Sequence, residues 1–418
     1  MGKAEPLPGT SDICFPEVQE WVSIENSART VFSKYGYSEL RTPVFERTSV
    51  FIKSIGDETD VVQKEMYTFE DRGGRSLTLR PEGTAGTMRA IANMGVAQGE
   101  ERRVFYMGPM FRGERPAKGR KRQFHQIGVE SVGKVSPAID AENIAMLVDF
   151  LESCGITGFK LKINSRGSRE DRKPAEDVLR KHFEDKLEGL CEDCQRRFTT
   201  NIWRMLDCKQ EGCQAGIESA PDTFELLGEE SCNYFRQVCS YLDKMGIEYV
   251  VDPRLVRGLD YYVHTVFEIS HPGLGAQDAI SGGGRYEIVV PGGKKPLPGV
   301  GFALGVERML IALEALGKLK DDVTLTDVFL VSMGQDALDF NMTLASKLRA
   351  AGLSVAMDYE LKSMKAQMRA ANKSAAKLAL IVGESELEAK ELQIKNLQTS
   401  DQSTVAFDDV IDFVENSI

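Results

Sequence analysis

The chain has 418 residues and a net charge of −11, with 42% hydrophobic and 28% charged residues. This length predicts two to four domains, because domains usually contain about 100–200 residues. The composition excludes a disordered or fibrous chain, and the acidic balance argues against a purely non-specific coat for nucleic acid. No run approaches about 18 apolar residues and no secretory signal is recognisable, so we expect a cytoplasmic protein without a membrane span.

The first three quarters of the chain predict both helices and strands. The predicted elements are, in order, a helix at 16–35, an extended run at 37–44, strands at 76–80, 103–112 and 123–131, a helix at 140–154, a polar helical segment at 170–248, strands at 249–251 and 261–269, a glycine-rich turn at 281–286, and a helix starting at Val306. The polar helical segment carries a cysteine cluster and few strand signals, which predicts an inserted helical subdomain. The strands on either side of residues 113–122 form a hairpin with a long basic loop, and such loops are usually functional.

The pattern changes after a linker at 317–325. Strands are predicted at 328–333, 353–358 and 378–383, with helices at 336–351 and 361–375. Alternating strands and helices predict a small α/β domain with a largely parallel sheet.

The returning strand of the hairpin carries the densest chemical signal. Because side chains alternate along a strand, Phe124, Gln126, Gly128 and Glu130 share one face, and Arg112 ends the partner strand beside them. An aromatic ring, an amide, a carboxylate and an arginine suit a planar anionic ligand, with Gly128 leaving room for it. The alternative is a solvated basic hairpin with an ordinary polar face.

Two further segments combine glycine with arginine. Residues 257–262 read RGLDYY, where an arginine and two tyrosines surround a glycine at a strand entrance. A tyrosine-rich strand with an ion pair is the alternative. Residues 299–308 run from glycine-rich backbone into a helix with Arg308 in its first turn, a pattern that lets backbone approach a phosphate. This segment lacks both the Walker ending and the dinucleotide fingerprint.

Together these segments resemble the three motifs of class II aminoacyl-tRNA synthetases. The helix at 16–35 with the run ending at Pro43 resembles motif 1, residues 111–130 resemble motif 2, and residues 299–310 resemble motif 3. RGLDYY (257–262) and GGGRY (282–286) resemble two signatures of the bacterial histidyl-tRNA synthetase family, and LRPEGT (79–84) also matches it. The resemblance covers essentially the whole chain.

The resemblance implies the fold class and the domain organisation. It implies an α+β catalytic domain at 1–320, with a class II antiparallel sheet flanked by helices and a helical insertion at about 170–248. A C-terminal α/β anticodon-binding domain at 326–418 follows. A homodimer is also implied, because motif 1 forms the family's dimer interface.

The family's chemistry has two steps, so ATP, Mg²⁺, L-histidine and histidine tRNA are the implied substrates and partners. By resemblance, Arg112 and Arg257 hold the α-phosphate and the histidine carboxylate and act in catalysis. Arg308 meets the γ-phosphate end of ATP, Phe124 stacks on adenine, and Glu114 lies at the adenine and metal edge.

The resemblance also assigns a histidine pocket. Its α-amino side consists of Glu82, Thr84 and Gln126, and its imidazole side consists of Glu130, Tyr262 and Tyr286. An imidazole needs a partner at each nitrogen, and a site that supplies both rejects apolar analogues strongly.

Contacts to tRNA are expected at two places. Arg115 lies in the motif 2 loop, which approaches the acceptor end in the family. Basic residues recur every third or fourth position in the C-terminal domain and predict one helix face: Lys362, Lys365, Arg369, Lys373 and Lys377. A solvated lysine stripe is the alternative to an RNA contact.

The cysteine cluster has the order Cys191-x2-Cys194-x13-Cys208-x4-Cys213. Four thiolates at this spacing can hold a structural zinc ion tetrahedrally, and free thiols in a reducing compartment are the alternative.

Three other functions compete with the charging of tRNA with histidine. A regulatory paralogue paired with ATP phosphoribosyltransferase typically lacks the anticodon domain and degrades motif 2, and a pseudo-synthetase loses the site arginines. A synthetase for another amino acid would lack the combination of Glu130, Tyr262 and GGGRY, which this chain keeps.

Overall fold

The computed structural model describes residues 5–56, 59–96, 100–257, 261–275, 278–291, 293, 295–319 and 326–418. The backbone separates into two compact units, Met1–Leu319 and Lys320–Ile418. Across these described ranges, no helix is both long and apolar enough to cross a membrane.

The first unit contains helices and strands in mixed order. They are α1 (Glu17–Lys34), β1 (Ser38–Glu39), β2 (Phe45–Arg47), α2 (Thr48–Ile55), β3 (Thr68–Glu70), β4 (Ser76–Leu79), α3 (Thr84–Met94), β5 (Arg102–Phe111), β6 (Gln123–Val132), α4 (Pro137–Ser153), β7 (Lys160–Ser165), α5 (Arg169–Glu184), α6 (Glu192–Thr200), α7 (Glu211–Glu218), α8 (Glu229–Lys244), β8 (Val250–Val251), β9 (Tyr262–Ser270), β10 (Ala279–Ile288), β11 (Leu297–Gly305) and α9 (Val306–Ala315).

A large sheet organises this unit. Within the described residues its strand order is β1-β5-β6-β11-β10-β9-β7-β8. The β1–β5 and β7–β8 pairs at its two edges are parallel and the inner pairs are antiparallel. Ile127 and Val129 of β6 pack into a core shared with α1, α4, α8 and α9. The alternation of β6 therefore turns its even-numbered residues to the opposite face.

A buried ion pair fastens the sheet to α4. The Arg285 guanidinium on β10 donates through Nε to Asp140 Oδ1 at 2.8 Å, and both side chains are almost fully buried. Thr265 donates to the other oxygen of the Asp140 carboxylate at 2.7 Å. Breaking such a pair leaves an uncompensated buried charge, which typically costs about 3–5 kcal/mol.

The glycine-rich turn predicted at 281–286 is wrong, because these residues form the middle of β10. They pair with β9 on one side and with β11 on the other. A Cβ on Gly283 would lie 2.4 Å from the carbonyl oxygen of Gly301 and 2.6 Å from the Phe267 ring. Here glycine serves close packing between strands instead of a change in chain direction.

The helical segment after β7 divides between two cores. Helices α5, α6 and α7 surround a small cluster that includes Trp203, Met205 and the four cysteines. Helix α8 instead packs on α4 and contributes Phe235 and Val238 to the large core. The insertion core is therefore a separate, smaller body within the first unit.

The second unit is an α/β sandwich. Its elements are β12 (Val328–Ser332), α10 (Gln335–Ala350), β13 (Val355–Met357), α11 (Met364–Lys373), β14 (Leu378–Val382), α12 (Glu384–Ala389), β15 (Glu391–Asn396), β16 (Gln402–Ala406) and α13 (Val410–Ser417). The sheet order is β13-β12-β14-β15-β16, parallel in its first three strands and antiparallel thereafter.

The basic helix face is shorter than its sequence suggests. Lys362 precedes α11 and lies 2.7 Å from Glu360 and 3.4 Å from Asp358, while Lys377 follows the helix and pairs with Asp327 at 3.1 Å. The prediction that these two lysines lie on the helix is wrong. Ser363, just before the helix, has a non-helical ψ of 150°, and Ala375, just after it, has a left-handed φ of 52°. Lys365, Arg369 and Lys373 are exposed along α11 at four-residue spacing.

Candidate active site

A cavity of about 500 Å³ lies on the face of the large sheet to which the even-numbered residues of β6 point. Its lining includes all the side chains predicted to contact histidine or ATP: Glu82, Thr84, Arg112, Glu114, Phe124, Gln126, Glu130, Arg257, Tyr262, Tyr286 and Arg308. They come from several distant segments of the chain, which the sheet brings to one place.

A buried carboxyl forms the floor of the cavity. Glu130 on β6 is 2% exposed and accepts a hydrogen bond from the Tyr286 hydroxyl on β10 at 2.7 Å. Burial raises the pKa of Glu130 to about 8, opposed by the hydrogen bonds from Tyr286 and Thr84. The carboxyl is therefore poised to gain or lose a proton near neutral pH, so it can donate or accept a hydrogen bond.

The glycines of β11 make this floor possible. A Cβ on Gly301 would lie 2.2 Å from the Glu130 carboxylate, and one on Gly299 would lie 2.5 Å from the Tyr286 ring. These two glycines therefore leave room for neighbouring side chains. They do not serve the close approach of backbone to a phosphate that this glycine-rich stretch predicts. The prediction that Gly128 leaves room for a ligand is also wrong, because the Tyr106 ring lies 2.4 Å from where its Cβ would be.

A second carboxylate caps the start of α3. Glu82 accepts hydrogen bonds from the backbone N–H groups of Thr84 and Ala85, both at 2.7 Å. These bonds satisfy helix N-terminal donors that otherwise lack a partner. Burial raises the pKa of Glu82, opposed by the same backbone bonds. The Gln126 side-chain oxygen accepts a hydrogen bond from the backbone N–H of Gly83 at 3.2 Å. This bond links β6 to the start of α3 and fixes their relative position.

Arg257 lies flat against β10. It pairs with Glu268 of β9, and a Cβ on Gly282 would lie 2.0 Å from its Nη2 atom. Burial lowers the pKa of Arg257, but Glu268 and its other anionic neighbours outweigh this effect and the net shift is upward. Gly258, Leu259 and Asp260 of the RGLDYY segment lie outside the described residues.

Aromatic side chains surround this arginine. Tyr261 packs against Tyr262 with ring centroids 4.7 Å apart and against Tyr286 at 5.6 Å. Burial raises the pKa of Tyr262, while the positive charge of Arg257 opposes the rise. The hydroxyls therefore stay protonated near neutral pH and remain hydrogen-bond donors.

The other end of the cavity is cationic. The Arg112 guanidinium lies 5.3 Å from the centre of the Phe124 ring and donates to the Pro81 carbonyl at 2.9 Å. Glu114 lies 3.7 Å from Arg112 and 3.4 Å from Arg120. Arg308 donates to the carbonyl of Ala279 at 2.6 Å, and burial together with the nearby Arg120 lowers its pKa. Several guanidinium groups thus converge where an anionic ligand would neutralise them.

The cavity also contains residues that the sequence analysis missed. Glu268 is six residues after Tyr262 on the same strand, so alternation was a signal that could have placed it on the same face. Asp207 and Lys209 enter the lining from the helical insertion. Their position depends on long-range packing, for which we find no local sequence signal.

The residues predicted to contact tRNA lie elsewhere. Arg115 is exposed in the loop between β5 and β6 and is not part of the cavity lining. Lys365, Arg369 and Lys373 lie on α11 of the second compact unit.

The four clustered cysteines converge on one point in the insertion. The sulfur atoms of Cys191, Cys194, Cys208 and Cys213 all lie within 4.8 Å of one another. The sulfur atoms of Cys191 and Cys208 are 3.8 Å apart. All eight cysteines of the chain are free thiols. Backbone N–H groups of Cys191 and Gln210 point at the sulfurs of Cys213 and Cys208, at 3.3 and 3.5 Å. Hydrogen bonds of this kind orient thiolate ligands around a metal.

Comparisons with known proteins agree with this geometry. Residues 9–309 match the family model described as histidyl-tRNA synthetase, and residues 327–417 match the anticodon binding domain. The histidine–tRNA ligase of Lysinibacillus sphaericus is 47% identical over 97% of both chains, and that of Bacillus subtilis is 45% identical over 96% of both. The crystal structure of apo S. aureus histidyl-tRNA synthetase matches 99% of this chain and 100% of its own, with a TM-score of 0.82 and 37% identity.

A largely antiparallel sheet that carries an arginine-rich cavity, followed by an anticodon-binding fold, defines a class II aminoacyl-tRNA synthetase. This confirms the predicted fold class. Within that class, the chain belongs to the histidyl-tRNA synthetase family.

Proposed function

We propose that this chain activates L-histidine with Mg-ATP to give histidyl-adenylate and pyrophosphate, and then transfers the histidyl group to the 3′ end of histidine tRNA with release of AMP. One observation carries the proposal. A single cavity combines a buried Glu130–Tyr286 pair, suited to an imidazole, with the guanidinium groups of Arg112, Arg257 and Arg308, suited to a triphosphate.

The first step needs positioning and charge neutralisation. A carboxylate oxygen of histidine attacks the α-phosphorus of ATP, and the bond to the bridging oxygen breaks to release pyrophosphate. Arg112 and Arg257 hold the two anionic reactants together, and Glu268 fixes the plane of the Arg257 guanidinium. Arg308 holds the γ-phosphate end, and Phe124 stacks on adenine.

Mg²⁺ enters this reaction with ATP as part of the substrate. Hard cations prefer oxygen ligands, and Glu114 offers a carboxylate at the arginine-rich end of the cavity. The chain's own contribution is to set the triphosphate between Arg308 and Arg112.

The imidazole is recognised at both nitrogens. Glu130 contacts one nitrogen, Tyr262 the other, and Tyr286 fixes the Glu130 carboxyl. Glu82, Thr84 and Gln126 receive the α-amino group, where the Glu82 carboxylate supplies negative charge. Amino acids without two ring nitrogens leave these buried groups unpaired, which is the basis of discrimination.

We further propose that Arg115 contacts the tRNA acceptor end and that Lys362, Lys365, Arg369 and Lys373 contact the RNA backbone near the anticodon. Phosphate contacts of this kind position RNA without reading its bases.

We also propose the domain boundaries. The catalytic domain comprises residues 1–320 with its insertion at about 170–248, and the anticodon-binding domain comprises residues 326–418.

We place the protein in the cytoplasm as a homodimer. The proposed interface consists of the motif 1 segment, residues 16–43, and the outer face of the small sheet formed by β2, β4 and β3. Strand β2 directly follows motif 1, and this sheet exposes large apolar side chains. Phe45 and Phe69 are 48% and 44% exposed, with ring centroids 6.4 Å apart. Clustered exposed aromatics of this kind mark protein interfaces.

We also propose that Cys191, Cys194, Cys208 and Cys213 hold a structural zinc ion. Tetrahedral zinc with sulfur ligands at about 2.3 Å requires sulfur atoms about 3.8 Å apart. The observed separations, all within 4.8 Å, fit this geometry with small side-chain adjustments.

Exchange of pyrophosphate into ATP, measured with each of the twenty amino acids in the absence of tRNA, tests the proposed function. We expect exchange with histidine alone. Exchange with another amino acid would discard the assignment of the pocket and keep the fold. No exchange from a folded protein would overturn the proposed reaction.

A further inference from the structure

The proposed zinc site lies one residue away from the active-site lining. Cys208 is a member of the thiol cluster, and the residues on either side of it, Asp207 and Lys209, line the catalytic cavity. A metal bound to Cys208 would therefore fix the backbone from which two cavity residues project. The charges of Asp207 and Lys209 are 3.7 Å apart, so the two side chains form a polar edge of the cavity.

The same subdomain also holds the residue next to Arg257. Val256 is 4% exposed and belongs to the hydrophobic cluster that contains the four cysteines. Arg257, the next residue, lines the catalytic cavity. The backbone entering the RGLDYY segment is thus anchored in the insertion core.

Hydrogen bonds reinforce this anchor. Arg254 donates to the carbonyls of Pro221 and Ala220 in the insertion at 2.8 and 2.5 Å. Asn164 on β7 donates to the carbonyl of Leu255 at 3.1 Å, and Thr223 of the insertion donates to Asn164 at 2.9 Å. The segment before Arg257 is therefore held between the large sheet and the insertion.

The insertion core is small and depends on its cysteines. All four cysteines of the site belong to it, three of them buried, and no disulfide links them. Small bodies rarely bury enough apolar surface to be rigid alone, and a bound metal supplies folding free energy directly. Without metal, the packing that holds Val256 and Cys208 would lose its central support.

We infer that the four-cysteine zinc site is a positioning element for catalysis, which holds Arg257 through Val256 and holds the Asp207–Lys209 edge through Cys208. This inference rests on the proposed zinc site and on the proposed activation of histidine. Loss of zinc would leave the large core intact and would misplace Arg257. Adenylate formation would therefore slow at every site that can still bind substrate.

The test uses the full-length chain purified under reducing conditions. Zinc content is measured by plasma mass spectrometry, zinc is removed with a chelator in the presence of a thiol reductant, and histidine-dependent pyrophosphate exchange is followed. The burst of adenylate counts competent sites, which separates slower turnover from a smaller active fraction. We expect one zinc per chain, at least a tenfold lower turnover per site after its removal, and recovery when zinc is added back.

Three variants sharpen the result. Cys191→Ser should lose zinc and match the chelated protein, whereas Cys239→Ser, the same change at a cysteine outside the cluster, should retain both zinc and exchange. Val256→Ala should retain zinc but lower turnover several-fold and raise KM for histidine, while the cavity it leaves lowers the melting temperature by only a few degrees. This last variant tests the connection even where the metal-free insertion unfolds.

The outcomes separate the two claims. Purified, reduced protein without zinc or another metal overturns the metal site, and histidine-dependent exchange by that protein would leave the proposed reaction standing. Zinc present at one per chain, with full turnover per site after its removal, overturns the positioning role alone. A Val256→Ala variant with unchanged turnover and KM shows that the insertion core does not act through Arg257.

Discussion

Glu130 illustrates how a residue can be chosen for binding at the expense of stability. An isolated glutamate has a pKa near 4.5, and burial raises that of Glu130 to about 8. The folded protein therefore binds this proton more tightly than the unfolded chain does. Stability from this group is complete below about pH 4.5 and is lost as the pH rises through 8. A buried carboxyl with this property is typical of binding and catalytic sites.

Replacing Glu130 with glutamine should separate these two effects. Without ligand, the free energy of unfolding of the native sequence should fall between pH 6 and pH 9 by about 2–3 kcal/mol more than that of Glu130→Gln, because one pKa unit corresponds to 1.36 kcal/mol. The variant should also lose about 10–100-fold in kcat/KM for histidine, because glutamine cannot ionise to form a charge-assisted hydrogen bond to the imidazole. Chemical denaturation at several pH values and pyrophosphate exchange measure the two quantities.

Glu248→Gln is the matched control, because Glu248 is exposed and lies outside the cavity. It should follow the native sequence in both measurements. If Glu130→Gln showed the same pH dependence of stability as the native sequence, Glu130 would not carry the raised pKa.

At the scale of elements, strand periodicity predicted the site better than glycine content did. Alternation along β6 placed Phe124, Gln126 and Glu130 on one face, and all three line the cavity. The three consecutive glycines of β10 predict a turn, because Gly-Gly pairs usually mark turns and loops. Glycine is needed at these positions because of tertiary packing, since side chains from other segments fill the space beside them. A single sequence does not reveal those neighbours.

Gly282 offers a direct test of this packing. In Gly282→Ala the new Cβ would lie 2.0 Å from the Arg257 guanidinium, which is the free end of a side chain and can move away. We therefore expect at least about a hundredfold loss of pyrophosphate exchange, approaching that of Arg257→Ala, because misplaced charge no longer stabilises the transition state. The melting temperature should change by only a few degrees, as measured by circular dichroism.

Gly189→Ala provides the comparison, because no atom lies within 4 Å of its added Cβ and its backbone needs no positive φ. It should retain full exchange. Full activity in Gly282→Ala would instead show that the reaction does not need Arg257 in the observed position.

Helix α11 exposes three basic side chains that are proposed to contact tRNA. Changing Lys365, Arg369 and Lys373 together to glutamine should raise KM for tRNA about 10–100-fold and flatten the dependence of charging on salt, because fewer counterions are released. Pyrophosphate exchange without tRNA should not change. The double variant Lys347→Gln/Lys390→Gln removes two exposed lysines from elsewhere in the same unit and should leave charging intact. An unchanged salt dependence in the triple variant would make α11 a solvated lysine stripe.

At the scale of the whole molecule, the exposed small sheet is connected to the catalytic cavity. Strand β4 pairs with both β2 and β3 and ends at Leu79, three residues before Glu82. Arg80 lies between them and donates to the carbonyls of Pro109 and Thr42 at 2.8 and 3.0 Å. A partner packed on this sheet would therefore steady the strand that delivers Glu82 and Thr84 to the histidine pocket.

Disrupting this surface should affect assembly and activity together. In Phe45→Asp/Phe69→Asp, two charges replace adjacent exposed rings, and we expect the sedimentation coefficient at micromolar concentration to shift from dimer to monomer. Pyrophosphate exchange should fall as the dimer dissociates, because the KM for histidine rises. Val178→Asp places one charge at a comparably exposed apolar position on α5 and should remain dimeric and active. A native chain that sediments as a monomer would contradict the dimer, whereas a monomeric variant with full activity would show that each cavity is complete within one chain.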